Sequence, residues 1–109
     1  MSSADEEQRN IMKTKKFWKD IAGEYFATCL LVYAITSVGD VETNDDYLEY
    51  SLVYGMATAI LVQCFGGFLN PALTVAFTST GRLPLTKGVF MIIVEVLGGN
   101  FVCVIFCNV

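Results

Sequence analysis

Histidine is absent from this chain of 109 residues, and charged residues are scarce, at 17% of the sequence. Without histidine the chain lacks the commonest metal ligand and the commonest general acid or base of enzymes. Soluble domains usually carry about 25% charged residues, so this deficit argues against a soluble globular protein. There is also no basic stripe with interleaved aromatics, so no nucleic-acid partner is expected.

The cysteines do not form a metal-binding pattern. There are four, all within apolar runs and none in a Cys-x-x-Cys spacing: Cys29, Cys64, Cys103 and Cys107. The last two share a helical face, but two thiols are too few for a zinc site. We expect all four to be reduced and to pack as small buried hydrophobic residues. No pattern in the sequence predicts a metal or any other cofactor.

Hydrophobic residues are abundant, at 54% of the chain, and the mean hydropathy is +0.53. Three apolar runs have about the 20 residues that a membrane-spanning helix needs, which predicts helices at about 17–38, 50–68 and 87–109. Residues 1–16 are polar and are expected to form a disordered cytoplasmic tail. A loop at about 39–49, with five acids and no base, is expected to separate the first two helices.

The basic residues indicate how these helices are oriented. All of them lie either in the polar tail or in the connector before the last apolar run: Arg9, Lys13, Lys15, Lys16, Lys19, Arg82 and Lys87. If the first two runs each cross once, both basic regions share one side of the membrane. The positive-inside rule assigns that side to the cytoplasm. The N-terminus is then cytoplasmic and the acidic loop faces outwards.

A shorter apolar segment, at about 69–80, lies between the second and third long runs. A helix of about twelve residues reaches about 18 Å, roughly half of the hydrocarbon core. For the two basic regions to share a side, this segment must enter the membrane and return. Asn70 suits the N-cap and Pro71 the first turn, so the pair predicts a helix that starts at membrane depth. Taken alone, an Asn-Pro pair is more often an ordinary turn, and the flanking runs decide against that reading here.

Four motifs, in this order, resemble the aquaporin, or major intrinsic protein, family over about residues 17–99. They are Glu24-Tyr-Phe-Ala-Thr28, Val53-Tyr54-Gly55-Met-Ala57, Leu69-Asn70-Pro71-Ala72-Leu73-Thr74-Val75 and Glu95-Val-Leu-Gly98-Gly99. The resemblance implies an all-α integral membrane fold with three transmembrane helices and one re-entrant half-helix. Such a unit corresponds to the N-terminal half of a right-handed six-helix bundle. In the family, two inverted halves bring two Asn-Pro-Ala boxes together near the membrane midplane.

The resemblance implies that Asn70, Pro71 and Ala72 form a pore box. In that role the Asn70 amide donates hydrogen bonds to a passing water, and the positive end of the half-helix disfavours cations and protons. Tyr54 stands where the family places an aromatic residue of its outer selectivity constriction. An ordinary packing or lipid-facing aromatic is an equally good interpretation of Tyr54.

Two acids fall inside the apolar runs, where ionisable residues are costly and are functional candidates. By resemblance, Glu24 is expected to accept hydrogen bonds from the re-entrant loop and to support it. Glu95 stands where the family often has glutamine, and its role is left open: it is either protonated or faces the aqueous path. An enzymatic acid–base pair has little support, because nothing else in the chain supplies a substrate site.

The resemblance therefore implies a channel for water or small neutral solutes such as glycerol, with the lipid bilayer as its surroundings and no enzymatic activity. A plasma-membrane location and a homo- or hetero-oligomer, a tetramer in the family, are implied in the same way. The chain departs from the family in a loop before the box that looks about four residues shorter. It also departs at Phe68, where histidine is common.

Because the chain ends at Val109 with one box only, we expect that it does not conduct alone. An alternative is a truncated, non-conducting membrane partner or modulator of full-length aquaporins. A further alternative is an unrelated small membrane scaffold.

Overall fold

The computed structural model describes residues 3–38 and 44–107, which fold into five α-helices. They are α1 (Ser3–Met12), α2 (Lys15–Thr36), α3 (Asn44–Phe65), α4 (Pro71–Ser79) and α5 (Leu85–Cys107). No β-strand occurs within these residues. Two of the helices hold segments long and apolar enough to cross a membrane, Asp46–Phe65 in α3 and Leu85–Phe106 in α5. The expected all-α membrane fold is confirmed.

The first of the three expected spans, α2, is as long as α3 but less apolar. Three charged residues, Lys19, Asp20 and Glu24, interrupt its apolar sequence. That α2 crosses the membrane therefore stays a prediction. Its start is fixed locally, since Thr14 is the N-cap and accepts a hydrogen bond from the Phe17 N–H at 3.3 Å. An N-cap side chain of this kind satisfies one of the free N–H groups at a helix start.

The N-terminal segment differs from the sequence prediction. Residues 3–12, expected to be disordered, form α1. Acids lie in its first turn (Asp5, Glu6) and a base in its last (Arg9), an order that suits the helix dipole. Ile11 and Met12 pack against a buried apolar cluster. The expectation of disorder rested on polarity alone and is wrong here, because this apolar end anchors the helix.

The helix α3 begins at Asn44, several residues before the expected start at 50. Part of the expected acidic loop is thus helical, and residues 39–43 lie outside the described residues. Acidic side chains near a helix start are stabilised by the dipole, which accounts for the extension into a polar stretch. At the other end, Gly66 has a φ of +68° and its N–H donates to the Val62 carbonyl at 2.8 Å.

The helix α4 is short because both of its ends are capped. Asn70 is its N-cap and Pro71 its first residue. At the other end, Gly81 has a φ of +79°, and the Arg82 N–H donates to the Phe77 carbonyl at 3.0 Å. This is the Schellman arrangement, in which a left-handed residue stops the helix. Nine residues make about 14 Å of helix, less than half of a hydrocarbon core of about 30 Å.

The helix α2 is central: it packs against α3 and α5, and α4 packs against α5. Two buried apolar clusters hold these contacts, one of Phe17, Ile21, Leu83 and Met91, the other of Ala27, Leu31, Leu61 and Leu69. The backbones of α2 and α5 approach each other closely at Gly98, where an added Cβ would lie 3.0 Å from the Tyr25 carbonyl oxygen. Between the two clusters, α2 buries the carboxyl group of Glu24.

The outward faces of α3 and α5 are strongly apolar and exposed, which suits contact with lipid or with another helix. Two of the cysteines lie on these faces, and the expectation that they are buried is wrong: Cys64 and Cys103 are exposed. Cys29 is half-buried and is free, like the other two. The side chain of Cys107 lies outside the described residues.

Candidate functional site

The candidate site is the five-residue loop 66–70 together with the start of α4. Leu69 in this loop has a φ of +58° although it is not glycine, and its side chain is buried. A left-handed conformation of a residue with a Cβ costs about 1–2 kcal/mol, so the surroundings must hold it in place.

Asn70 supplies the N-cap of α4 with its side chain. Its Oδ1 accepts a hydrogen bond from the Ala72 N–H at 2.9 Å, and its carbonyl accepts one from the Thr74 N–H at 3.1 Å. Because the oxygen of the amide is engaged, its NH₂ group is the part that remains available as a donor. Pro71 has no N–H group, so its nitrogen needs no acceptor in the first turn of α4.

Glu24 of α2 supports the loop directly. Its Oε1 accepts a hydrogen bond from the Phe68 N–H at 2.5 Å, and its Oε2 accepts one from the Leu69 N–H at 3.1 Å. The side chain is only 1% exposed. Both N–H groups lie outside any helix, so the carboxylate supplies acceptors that no helical carbonyl provides. This contact holds Leu69 in its left-handed conformation.

Gly67 makes room for that carboxylate. A Cβ built on Gly67 would overlap the carboxyl group of Glu24. Any larger residue at this position would have to displace either the loop or Glu24. The glycine therefore has a steric reason that is independent of the left-handed Gly66 beside it.

Glu95 of α5 approaches α4 from the other side. Its Oε1 and Oε2 accept from the Thr74 hydroxyl at 2.8 and 3.2 Å, and that hydroxyl also lies 3.1 Å from the Asn70 carbonyl oxygen. A hydroxyl has one hydrogen, so it donates to one of these acceptors at a time. Glu95 and Thr74 are 2% and 0% exposed. The carboxyl groups of Glu24 and Glu95 are thus both buried beside the start of α4.

A cavity of about 320 Å³ borders the loop on the side of the connector between α4 and α5. Asp20 and Lys87 line it and form an ion pair at 2.6 Å that joins α2 to α5. The backbone of Gly66 and Gly67 forms another part of the wall. Phe68, also in the wall, stacks on Phe77 with 4.7 Å between ring centroids. The loop therefore presents backbone groups to a space that is polar on one side and aromatic on the other.

The structure brings together most of the residues singled out from the sequence. Glu24, Glu95 and the Asn70-Pro71-Ala72 box all meet at the start of α4. Tyr54 stands apart on α3, with its side chain 40% exposed, and no hydrogen bond links it to the box within the described residues.

Two residues at the site were missed by the sequence reasoning, Thr74 and Gly67. Thr74 carries a weak signal, since it lies four residues after the N-cap, on the same side of α4. Gly67 sits in a Gly-Gly pair, which signals a loop but not the neighbour that requires it. Both depend on carboxyl groups that are distant in the sequence.

The model of the family described as Major intrinsic protein matches residues 11–109. Aquaporin-4 of Mus musculus is 37% identical over 97 residues, which cover 78% of this chain and 29% of that protein. Aquaporin-4 of Homo sapiens is 34% identical, with the same coverage of this chain and of the relative. Lens fiber major intrinsic protein of Gallus gallus is 28% identical over 95 residues, 80% of this chain and 36% of that protein. No solved structure matches the chain significantly.

Proposed function

The chain belongs to the major intrinsic protein family, a family of channels, and from this premise we propose that it supplies one half of a pore for water or small neutral solutes. The observation that carries the proposal is the start of α4. There the Asn70 oxygen is engaged as the N-cap, and its NH₂ group is left as a donor. A fixed donor beside the positive end of a helix suits a neutral solute that accepts hydrogen bonds, and it disfavours cations.

The loop 66–70 enters the membrane, and the half-helix α4 that follows it returns to the same side. Two features support this: its length of about 14 Å is too short to cross, and the Schellman turn at Gly81 ends it. Arg82 and Lys87 follow the turn, so the positive-inside rule places this end and the N-terminus in the cytoplasm. The plasma membrane and a tetrameric assembly belong to the same proposal, by similarity to the family.

Topology mapping tests this re-entrance. In a background without the native cysteines, Lys13→Cys, Thr80→Cys and Asp46→Cys each provide a single site for a membrane-impermeant maleimide. We expect Lys13→Cys and Thr80→Cys to label from one side and Asp46→Cys from the other. Labelling of Lys13→Cys and Thr80→Cys from opposite sides would contradict re-entrance.

The chain spans about a third of the length of the curated relatives that it matches, so its contribution to conduction is best measured with a second half present. In a chimera, residues 11–109 replace the matching segment of mouse Aquaporin-4. We expect osmotic water flux in proteoliposomes well above the lipid background. Asn70→Asp keeps an N-cap oxygen but lacks the amide donor, and we expect severalfold lower water flux. A chimera that inserts and folds but gives no flux would overturn the proposal.

A second candidate function is a non-conducting partner of full-length channels. It is favoured by the exposed apolar face of α3, which is open to another chain: Leu48, Leu52, Met56, Ile60 and Phe65. The chain alone is expected to give no flux above background, because α4 then has no facing half-helix. Co-reconstitution with Aquaporin-4 separates the candidates: co-purification together with reduced flux supports the partner, and unchanged flux without co-purification opposes it.

A further inference from the structure

A cluster of exposed lysines lies where α1 meets α2: Lys13, Lys15, Lys16 and Lys19. None of the four forms an ion pair with another described residue. The nearby carboxylate of Asp20 is paired with Lys87. The acids of α1, Asp5 and Glu6, lie at its opposite end. The cluster therefore carries positive charge that is not neutralised by neighbouring side chains.

Two of these lysines continue the exposed apolar face of α2. Lys15 and Lys19 are one turn apart, and at 3.6 residues per turn they lie in line with Phe26, Leu30 and Tyr33. Those three side chains are 59%, 50% and 57% exposed. One helix face thus runs from two cations into an apolar row. Lys16 is different, because it lines the cavity beside Asp20.

Trp18 marks the boundary between the charged and the apolar part of that face. It is 51% exposed, and its Nε1–H donates to the Met12 carbonyl at 2.8 Å. Its ring packs edge-to-face against Phe17 and Phe90, with centroids 5.1 and 5.8 Å apart. A tryptophan held in this way is suited to the level of the lipid headgroups. Lys15 and Lys19 then lie at the same level.

The geometry points to a binding site for an anionic phospholipid, with its headgroup on Lys15 and Lys19, its glycerol region at Trp18 and an acyl chain along Phe26 and Leu30. The site rests on the proposed function only in taking α2 as a membrane-spanning helix. A soluble anion would use the lysines but not the apolar row, whereas a phospholipid matches both.

Trp18 is the single tryptophan of the chain, so its fluorescence reports on this site directly. The full chain is reconstituted in phosphatidylcholine bilayers that contain a small fraction of a chain-brominated lipid, which quenches tryptophan at short range. The brominated lipid has either a phosphatidylglycerol or a phosphatidylcholine headgroup. We expect the anionic lipid to be enriched at Trp18 by about fivefold for each lysine that it contacts.

The double substitution Lys15→Gln/Lys19→Gln should make the two brominated lipids quench equally. The matched control Lys13→Gln/Lys16→Gln removes the same charge from the same cluster and should keep most of the preference. Circular dichroism checks that both variants keep their helices. Added inorganic phosphate should leave the preference unchanged; its loss would assign the lysines to a soluble anion and overturn the lipid site.

Equal quenching of the unmodified chain by both lipids would overturn the site while leaving α2 in the bilayer. Quenching by neither lipid would overturn the site and the membrane placement of α2 together. If both double variants lose the preference for the anionic lipid equally, the preference depends only on the overall charge of the cluster, and this would also overturn the site. The water flux of the chimera tests the pore proposal independently of all these outcomes.

Discussion

Two buried carboxyl groups hold the start of α4, and they do so by different means. Glu24 on α2 accepts hydrogen bonds from two backbone N–H groups, whereas Glu95 on α5 meets one side-chain hydroxyl, that of Thr74. The Phe68 and Leu69 N–H groups donate to the Glu24 carboxylate. The Thr74 hydroxyl has a second acceptor besides Glu95, since it also lies 3.1 Å from the Asn70 carbonyl oxygen. The contact from α2 is therefore the one that the loop depends on, and the contact from α5 tolerates change.

The difference matters because both contacts lie at membrane depth in the proposed pore. There an unsatisfied N–H group costs several kcal/mol, since no water replaces the lost acceptor. A threonine hydroxyl avoids this by turning back to a carbonyl of its own helix. A glutamate is thus required on α2, while an amide could replace the acid on α5. This agrees with the glutamine that the family often has at the position of Glu95.

Removing the carboxyl group of Glu24 should have the largest effect. Glu24→Ala leaves the Phe68 and Leu69 N–H groups without an acceptor and should lower the free energy of unfolding by about 4 kcal/mol, from about 1–3 kcal/mol for each group. Titration with sodium dodecyl sulfate in mixed micelles, followed by circular dichroism, measures this change. Glu24→Gln keeps one acceptor oxygen and should lose about half as much. A Glu24→Ala chain as stable as the unmodified one would show that the loop does not depend on this carboxyl group.

Filling the space beside that carboxyl group should have an intermediate effect. Gly67→Ala places a methyl group where the Glu24 carboxyl group lies and should cost about 2 kcal/mol of unfolding free energy, as overpacked sites do. The control is Gly55→Ala on α3, where an added Cβ meets open space. That substitution should stabilise by about 0.5–1 kcal/mol, because alanine favours the helix. Equal effects of the two alanines in the same unfolding assay would contradict the tight contact at Gly67.

Changes on the α5 side should have the smallest effect. Thr74→Val keeps the shape but removes the hydroxyl, and should cost about 1–2 kcal/mol, because the buried Glu95 carboxyl group loses one donor. Thr74→Ser, which keeps the hydroxyl, serves as the control for that group. Glu95→Gln keeps an acceptor oxygen for Thr74 and should change stability by less than about 0.5 kcal/mol. If Thr74→Val proves as costly as Glu24→Ala, the contacts from α2 and from α5 support the start of α4 equally.

The features that depend only on neighbouring residues are those that the sequence predicts best. Asn70 and Pro71 predict the start of α4 because an N-cap and a proline in the first turn act within a few residues. Polarity predicted disorder for residues 1–16, but α1 forms, because Ile11 and Met12 reach apolar partners on other helices. The exposed Cys64 and Cys103 were also missed, since apolar runs indicate burial in lipid or in protein without distinguishing them.

The apolar helices, the one-sided distribution of bases and the box at Asn70 follow from the amino-acid order alone, because hydropathy, charge and capping depend on nearby residues. The groups that hold the box in place come together only through the packing of the helices. Glu24 is 44 residues from the loop N–H of Phe68, and Glu95 is 21 residues from Thr74. Helix packing brings these groups to within hydrogen-bonding distance, so their partners cannot be inferred from spacing. The same holds for Gly67, where a larger residue is excluded by a carboxyl group on another helix.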